Sequence, residues 1–551
     1  MAGQVKGEAI AGPGADRRSV LGGAAALAAG LAATRAMAVS LPFVGGGGGD
    51  GPQAPPAYGT VRGQLDDGIS VFKGIPYGAP TGGGARFLAP QAPKSWAGVR
   101  PCVKFSDQCP QLPPRAPAAW ASWATNTGEG EDCLGLNVWT PGPGDNTKRP
   151  VMVWLHGGGY SQYSGSVPVF DGARLCRRGD VVVVTLNHRL NLFGYLYLAQ
   201  IGGDKFADSG NVGQLDLIFA LQWVRDNIAA FGGDPQRVMI FGESGGGGKV
   251  STLMAMPAAK GLFHRAAIQS GPGLVGITPE AATAAAAAIL DALGMSAHDA
   301  DGLQRVPADR LLHALKSVTD KGEHRLGPVV DAKNLPRDPF TPDAPAVSAD
   351  VPVIVGYNAT ETTILGGAPS DFDLDWAALK ARLGPSLTGV DADKLIADFR
   401  RLSPGDSASD LYFRITTLRG MGRRSISLAE RKSALGAAGA YVYRLEFETP
   451  VDRLRSPHAL DLPLVFDNVA KSASLLGAAA PQAQAVADQM SGAWIAMAHT
   501  GSPNAEGLAS WPRYDSRARS TMLINTVSRA VSDPYGEERK IIDALPPVAE
   551  R

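Results

Sequence analysis

The chain has 551 residues, 44% of them hydrophobic, and its 52 acidic and 52 basic side chains leave no formal net charge. Such a balance supports a large buried core and gives no basic bias, so nucleic acid is excluded as an expected partner. The four cysteines, Cys102, Cys109, Cys133 and Cys176, lack the C-x-x-C spacing of a common zinc site, and no metal is expected.

At the N-terminus Arg17 and Arg18 precede an Ala/Leu/Gly run from Val20 to Ala33, followed by Ala36-Met37-Ala38. Paired arginines, a mildly apolar stretch and an A-x-A site predict a twin-arginine export signal over 1–38, with a periplasmic or secreted destination. The apolar run is shorter than the ~20 residues of a spanning helix. No later stretch is long enough either, so no stable membrane insertion is expected once the signal is removed. Residues 39–57 are Gly/Pro-rich, with five successive glycines from Gly45 to Gly49, and read as a flexible linker. The remainder, 58–551, contains no repeat, charge block or second linker and reads as one domain.

Cys109 and Cys133 would close a loop of about 25 residues, worth roughly 3 kcal/mol if bridged, but the sequence alone leaves the pairing open. Val151 to Leu155 reads as a buried strand and runs directly into His156-Gly157-Gly158-Gly159. Glycines there let backbone N–H groups approach a substrate closely. A second buried strand over 180–185 points to a parallel sheet, and apolar residues at helical spacing over 215–229 predict a helix. Arg237 to Ile240 then leads into Phe241-Gly242-Glu243-Ser244-Gly245-Gly246. Strand, G-x-S-x-G and an Ala/Met-rich segment form the pattern of a nucleophile elbow with Ser244 at its apex. The N–H groups of Gly158, Gly159 and Gly245 would together surround an oxyanion.

Five motifs now stand in order: Gly74-Ile75-Pro76-Tyr77, the segment Glu131 to Pro141, His156-Gly157-Gly158-Gly159, the segment Asn227 to Pro235, and the elbow. Together they resemble the type-B carboxylesterase family, the relatives of cholinesterases and bacterial para-nitrobenzyl esterases, from about Tyr58 to the C-terminal region. The resemblance implies an α/β-hydrolase fold: a mostly parallel central sheet, helices on both faces, and a helical covering region over the active site. It also implies a disulfide between Cys109 and Cys133.

Triads in such folds follow the order serine, acid, histidine. The first acid after the predicted strand over 351–357 is Glu361, in a segment resembling the family's acid loop with Thr362 in place of the usual glycine. Of the two histidines that follow, His499 ends an apolar helical run, whereas His458 lies in a loop resembling the family's histidine loop. Ser244, Glu361 and His458 are therefore the expected triad, acting on a small-molecule ester through an acyl-enzyme, with no metal or organic cofactor required.

The chain departs from the family pattern at Gly245, where alanine is frequent, at Lys249, where a small serine is typical, and at His188, where tyrosine is usual. Lys249 reads as a structural lysine of the helix or, alternatively, as a contact to an anionic substrate. Tyr160, Glu243 and Lys249 are the candidates for the substrate pocket. Helices are expected over 279–319 and 376–423, covering the site. An amide hydrolase or acyltransferase with the same triad, and a non-catalytic cholinesterase-like binding protein, are the competing readings.

Overall fold

The computed structural model describes residues 51–114, 116–384, 387 and 389–546. The expected signal over 1–38 and most of the linker lie outside the described residues. The main sheet is built from β1 (Gln64–Asp66), β2 (Ile69–Pro76), β3 (Gly135–Thr140), β4 (Arg149–Leu155), β5 (Val182–Leu186), β6 (Gly233–Glu243), β7 (Arg265–Gln269), β8 (Val353–Asn358), β9 (Ala440–Leu445), β10 (Ser520–Ile524) and β11 (Arg529–Ser532). In space the order is β11-β10-β9-β8-β7-β6-β4-β5-β3-β2-β1. From β10 to β5 the neighbours are parallel, and at both margins they are antiparallel. The sheet is thus mixed, with a parallel centre, as the α/β-hydrolase expectation requires.

The parallel centre follows from its composition. Strand side chains alternate between the two faces, and a strand covered on both sides has no polar face to spare. On β4, Val151, Val153 and Leu155 pack into one core with Leu217, Leu221 and Val224 of α1 (Val212–Asn227) and with Val250 and Leu253 of α2 (Gly245–Ala255). Met152 and Trp154 point the other way, to Val486, Met490 and Trp494 of α3 (Ala480–Thr500). Each such side chain contributes about 1.5–3 kcal/mol of burial free energy, so moving β4 by one residue would exchange both layers at once.

Helix α1 begins before the predicted 215–229 helix and ends in a 3-10 turn, Ile228–Phe231, stopped by Gly232 at φ +77°. Its Asp216 takes both Arg189 Nε (2.8 Å) and Nη2 (2.6 Å), fixing the loop after β5 to the helix through a fully buried ion pair.

Two expectations need correction. The folded part begins inside the expected 39–57 linker: Gln53–Ala54 pairs with Thr60–Arg62 in a small sheet, Ala54 is buried, and Ala57 N–H donates to Asn227 Oδ1 at 2.7 Å. Long-range pairing overrides the local Gly/Pro composition there. The Cys109–Cys133 bridge is not formed, and all four cysteines are buried free thiols. Cys109 and Cys133 are nevertheless neighbours, and Cys109 together with burial pushes the Cys133 thiol well above its ordinary pKa.

Candidate active site

β6 ends at Glu243 and α2 begins at Gly245, so a single residue reverses the chain. That residue is Ser244, at φ +57° and ψ −125°, a conformation costly for any L-residue with a side chain. The turn closes only because its flanks are bare: a Cβ on Gly242 would stand 2.5 Å from the Gly246 carbonyl carbon, and one on Gly246 would run into the Leu155 carbonyl. Ser244 N–H donates to the Gln269 carbonyl of β7 at 2.8 Å and its own carbonyl accepts from Gly248 N–H, which holds the strained turn from both sides.

Leu155, the last residue of β4, delivers His156 to Gly159 alongside this turn. Gly158 (φ +83°) and Gly159 (φ +62°) take the left-handed conformation that glycine reaches without strain. A Cβ on Gly245 would overlap the Gly159 carbonyl, so the loop and the first turn of α2 meet backbone to backbone. Gly159 is thereby brought against Gly245, next to Ser244.

Glu361 sits in the short 3-10 turn after β8, fully buried. Its Oε1 accepts from Asn358 N–H (2.7 Å) and its Oε2 from His458 Nδ1–H (2.6 Å). The acid and histidine loops are laced together: Asn358 Nδ2 donates to the Pro457 carbonyl (2.8 Å), Thr360 Oγ1 to that of Leu454 (3.0 Å), and Ser456 N–H to Thr360 Oγ1 (2.9 Å). Since Nδ1 is committed to Glu361, the other imidazole nitrogen is the one available for proton transfer. Here it lies 3.0 Å from Glu243 Oε1, at ion-pair distance but out of line for a hydrogen bond.

The carboxylesterase family pattern matches residues 50–371. The Bacillus subtilis para-nitrobenzyl esterase is 34% identical over 495 residues, covering 88% of this chain and 96% of its own. Rat liver carboxylesterase 1F is 32% identical over 515 residues, covering 85% and 90%. Among solved structures, a Geobacillus stearothermophilus carboxylesterase superposes with a TM-score of 0.79 at 36% identity, covering 89% of this chain and 99% of that one. The chain belongs to the carboxylesterase family.

In this carboxylesterase an open cleft reaches Ser244 and Gly245. Tyr160 lines it, as the sequence reading expects. The other two pocket candidates are placed elsewhere. Glu243 is buried beneath the cleft beside His458, because the residue preceding the elbow serine completes the strand and turns inward. Lys249 is fully buried and gives its Nζ proton to the His156 carbonyl at 2.7 Å, the first carbonyl of the oxyanion loop. It is therefore a structural lysine, tied to backbone, and not a wall of the pocket. The covering segments are helical at Pro279–Ala292, Ala308–Thr319, Trp376–Leu383, Ala392–Leu402 and Ala408–Thr417. The cleft itself is lined by residues of 271–277 and 325–328, by Met421 in a π-helical turn, Leu418–Gly422, and by the helix residues Gly248, Thr252 and Arg424. His499, the rejected histidine, instead pairs its Nε2 with the Gly179 carbonyl at 2.8 Å, on the far side of β4 from α2.

The electrostatics of the carboxylesterase site centre on one imidazole between two carboxylates. Burial alone would depress His458, but Glu243 and Glu361 outweigh it and hold its pKa well above the usual histidine value. Burial pushes Glu243 upward, against the opposing pull of His458. Sequence reading missed a third acid, Asp461, one turn beyond His458. Burial, with Glu243 nearby, pushes it up to about 7, while Tyr443 Oη (2.7 Å) and Gln269 Nε2 (3.0 Å) donate to its Oδ2. A second group missed from sequence lies under the oxyanion loop. The rings of His156 and His188 stack 5.0 Å apart, each giving its Nδ1 proton to a backbone carbonyl, of Gly157 and Arg189. Burial and then Lys249 hold both rings well below the ordinary histidine pKa. Burial also lowers Lys249 itself to about 7. Among the described residues no group of three or more His, Cys, Asp or Glu side chains is placed to hold a metal ion.

Proposed function

We propose that the protein is an exported serine carboxylesterase in which Ser244 is the nucleophile, His458 the base and Glu361 the acid. The observation that carries the assignment is the 2.6 Å bond from His458 Nδ1–H to buried Glu361, in loops held beside a serine in the strained elbow conformation. Neutral His458 takes the Ser244 hydroxyl proton as Oγ bonds to the ester carbonyl carbon. The resulting oxyanion is received by the N–H groups of Gly158, Gly159 and Gly245, at the start of α2, where the helix dipole also favours negative charge. His458 returns the proton to the departing alkoxide, and the alcohol leaves. Water then attacks the acyl-enzyme with its proton passing to His458, and Ser244 recovers a proton as the carboxylic acid is released. Glu361 orients the ring and stabilises the imidazolium at each stage.

An ester substrate is supported by the relatives, which are para-nitrobenzyl esterases and carboxylesterases by name. The test is burst and steady-state hydrolysis of 4-nitrophenyl butyrate by the mature protein and by Ser244→Ala. A burst with loss of all turnover in the folded variant is expected, whereas equal turnover in both would place the nucleophile elsewhere. Export is supported by Arg17 and Arg18 before the Ala/Leu/Gly run. A fusion of 1–57 to a folded reporter should leave the cytoplasm, and Arg17→Lys with Arg18→Lys should retain it; export that ignores both arginines would exclude the twin-arginine route.

A further inference from the structure

Six of the residues that line the cleft are glycines, Gly245, Gly248, Gly271, Gly273, Gly276 and Gly327, and none of the six has a left-handed φ. Close packing explains three of them. A Cβ would overlap the Gly159 carbonyl at Gly245 and the Ser244 carbonyl at Gly271, and would stand 2.8 Å from a Val330 methyl at Gly276. The other three are different. At Gly273 the nearest atoms to a Cβ are the backbone of Gly248 at 3.5 Å, an ordinary contact, so an alanine fits. At Gly248 and Gly327 a Cβ would press on the Tyr160 side chain, 2.6 Å from its Oη and 3.3 Å from its Cδ2. Packing thus does not require glycine at 273, and the bare backbone there leaves space close to the nucleophile. Gly248 N–H donates to the Ser244 carbonyl at 3.1 Å, and four residues of helix rise only about 6 Å. Gly273 is tied to the same helix, its N–H donating to Ser251 Oγ at 3.1 Å. Val275, Ile277, Pro328 and Met421 give the cleft apolar walls; Arg325 and Arg424 also line it, and neither is free.

We infer that this space receives the acyl group and that Gly273 sets its size, admitting acids whose carbonyl carries a six-membered ring. The side follows from proton transfer. The leaving alkoxide must face His458, and no described residue of the histidine loop, 455–459, lines the cleft. A ring on the carbonyl carbon spans about 5 Å, close to one helical turn, so it lies along Gly248 and Gly273 while Ser244 holds the acyl carbon. Each ring methylene taken out of water is worth about a factor of four. The inference rests on the esterase reading given above.

The test compares kcat/KM for 4-nitrophenyl cyclohexanecarboxylate and 4-nitrophenyl acetate, which share a leaving group, in the wild type, Gly273→Ala and Gly273→Val. In the wild type the ring ester should exceed the acetate by about tenfold or more. The ratio should fall about threefold in Gly273→Ala and about tenfold in Gly273→Val, as added methyl groups crowd an occupied pocket. Alanine fits without any shift of its neighbours, so it carries the test by itself should the valine variant not unfold cooperatively on heating. Cyclohexyl acetate against ethyl acetate, by acid release in a pH-stat, probes the alcohol side, and that ratio should not follow residue 273. A wild-type acyl ratio at or below one, or one that neither variant moves, overturns the assignment and leaves the esterase standing. So does a change seen only in the alcohol pair. No turnover of any of the four esters by the wild type overturns the esterase reading and this inference with it.

Discussion

Replacing Lys249 by methionine should make the protein more stable and less active at the same time. The two effects have separate origins. A lysine held at about 7 in place of its usual 10.5 disfavours the folded state by roughly 4 kcal/mol at pH 7, because the unfolded chain can keep the proton in water. Methionine matches the stem in volume and removes that cost. Against it stands the lost bond to the His156 carbonyl, whose absence costs about 1.5–3 kcal/mol. The balance is a gain of roughly 1–3 kcal/mol at neutral pH. Activity moves oppositely, since the same bond anchors the first carbonyl of the oxyanion loop. Loss of an oxyanion donor costs about 10²–10³ in kcat, and a loop that stays tethered at both ends but shifts should cost about tenfold. The sign of the pH dependence supplies a control. Between about 7 and 10.5 the unfolded state binds more protons than the folded one, so wild-type stability should rise with pH across that window and the variant's should not. Urea midpoints at pH 7 and 9 beside kcat on 4-nitrophenyl butyrate measure all three quantities. A variant that loses stability and activity in parallel, or keeps full kcat, would refute the reasoning.

Three further outcomes are expected. Glu243→Gln removes a carboxylate that holds the His458 imidazole up, so the acid limb of kcat/KM should move to lower pH; a shift to higher pH in the pH–rate profile would contradict the geometry. Gly245→Ala should cut kcat at least about tenfold by pushing the Gly159 carbonyl, and with it the oxyanion loop, away from the elbow; stopped-flow acylation rates would measure it, and a wild-type rate would mean the two backbones are not in contact. Asp216→Asn leaves the Arg189 charge buried without its ion-pair partner and should destabilise the fold by about 3–5 kcal/mol, read from urea unfolding; a change under 1 kcal/mol would show that water reaches the pair.

Which features could be foreseen depended on how local their causes are. The elbow was legible because a serine at positive φ forces glycine two residues to either side, a demand written within five positions. Gly158 and Gly159 announced themselves in the same way. Glu361 and His458 needed more, namely chain order and the family resemblance, since a loop acid and a loop histidine carry no periodic signal. For Lys249 a structural role could be read but not its partner, which is 93 residues away, since helix spacing places a side chain on a face without saying what waits there. Glu243 stood among the pocket candidates, but adjacent residues at a strand end point to opposite sides, and it lies buried beside His458. The early strand at Gln53 was hidden by a composition that describes local flexibility and is silent on pairing partners. The antiparallel margins of the sheet were likewise invisible, because a strand's residues do not record the direction of the neighbour it pairs with.

Helix α2 opens with four consecutive glycines, Gly245 to Gly248, where the backbone must pass the oxyanion loop and Tyr160 at close range. In a helix each glycine costs about 1 kcal/mol relative to alanine, so the turn that carries the nucleophile is helical only because its surroundings insist on it. Its local opening free energy should therefore lie below that of an alanine-rich turn in the same place. Warming should therefore release the elbow as a sub-global event while both layers of the sheet remain packed. Heat inactivation would then precede heat denaturation, and the amides of Gly245 to Gly248 would exchange with solvent well before those of β6.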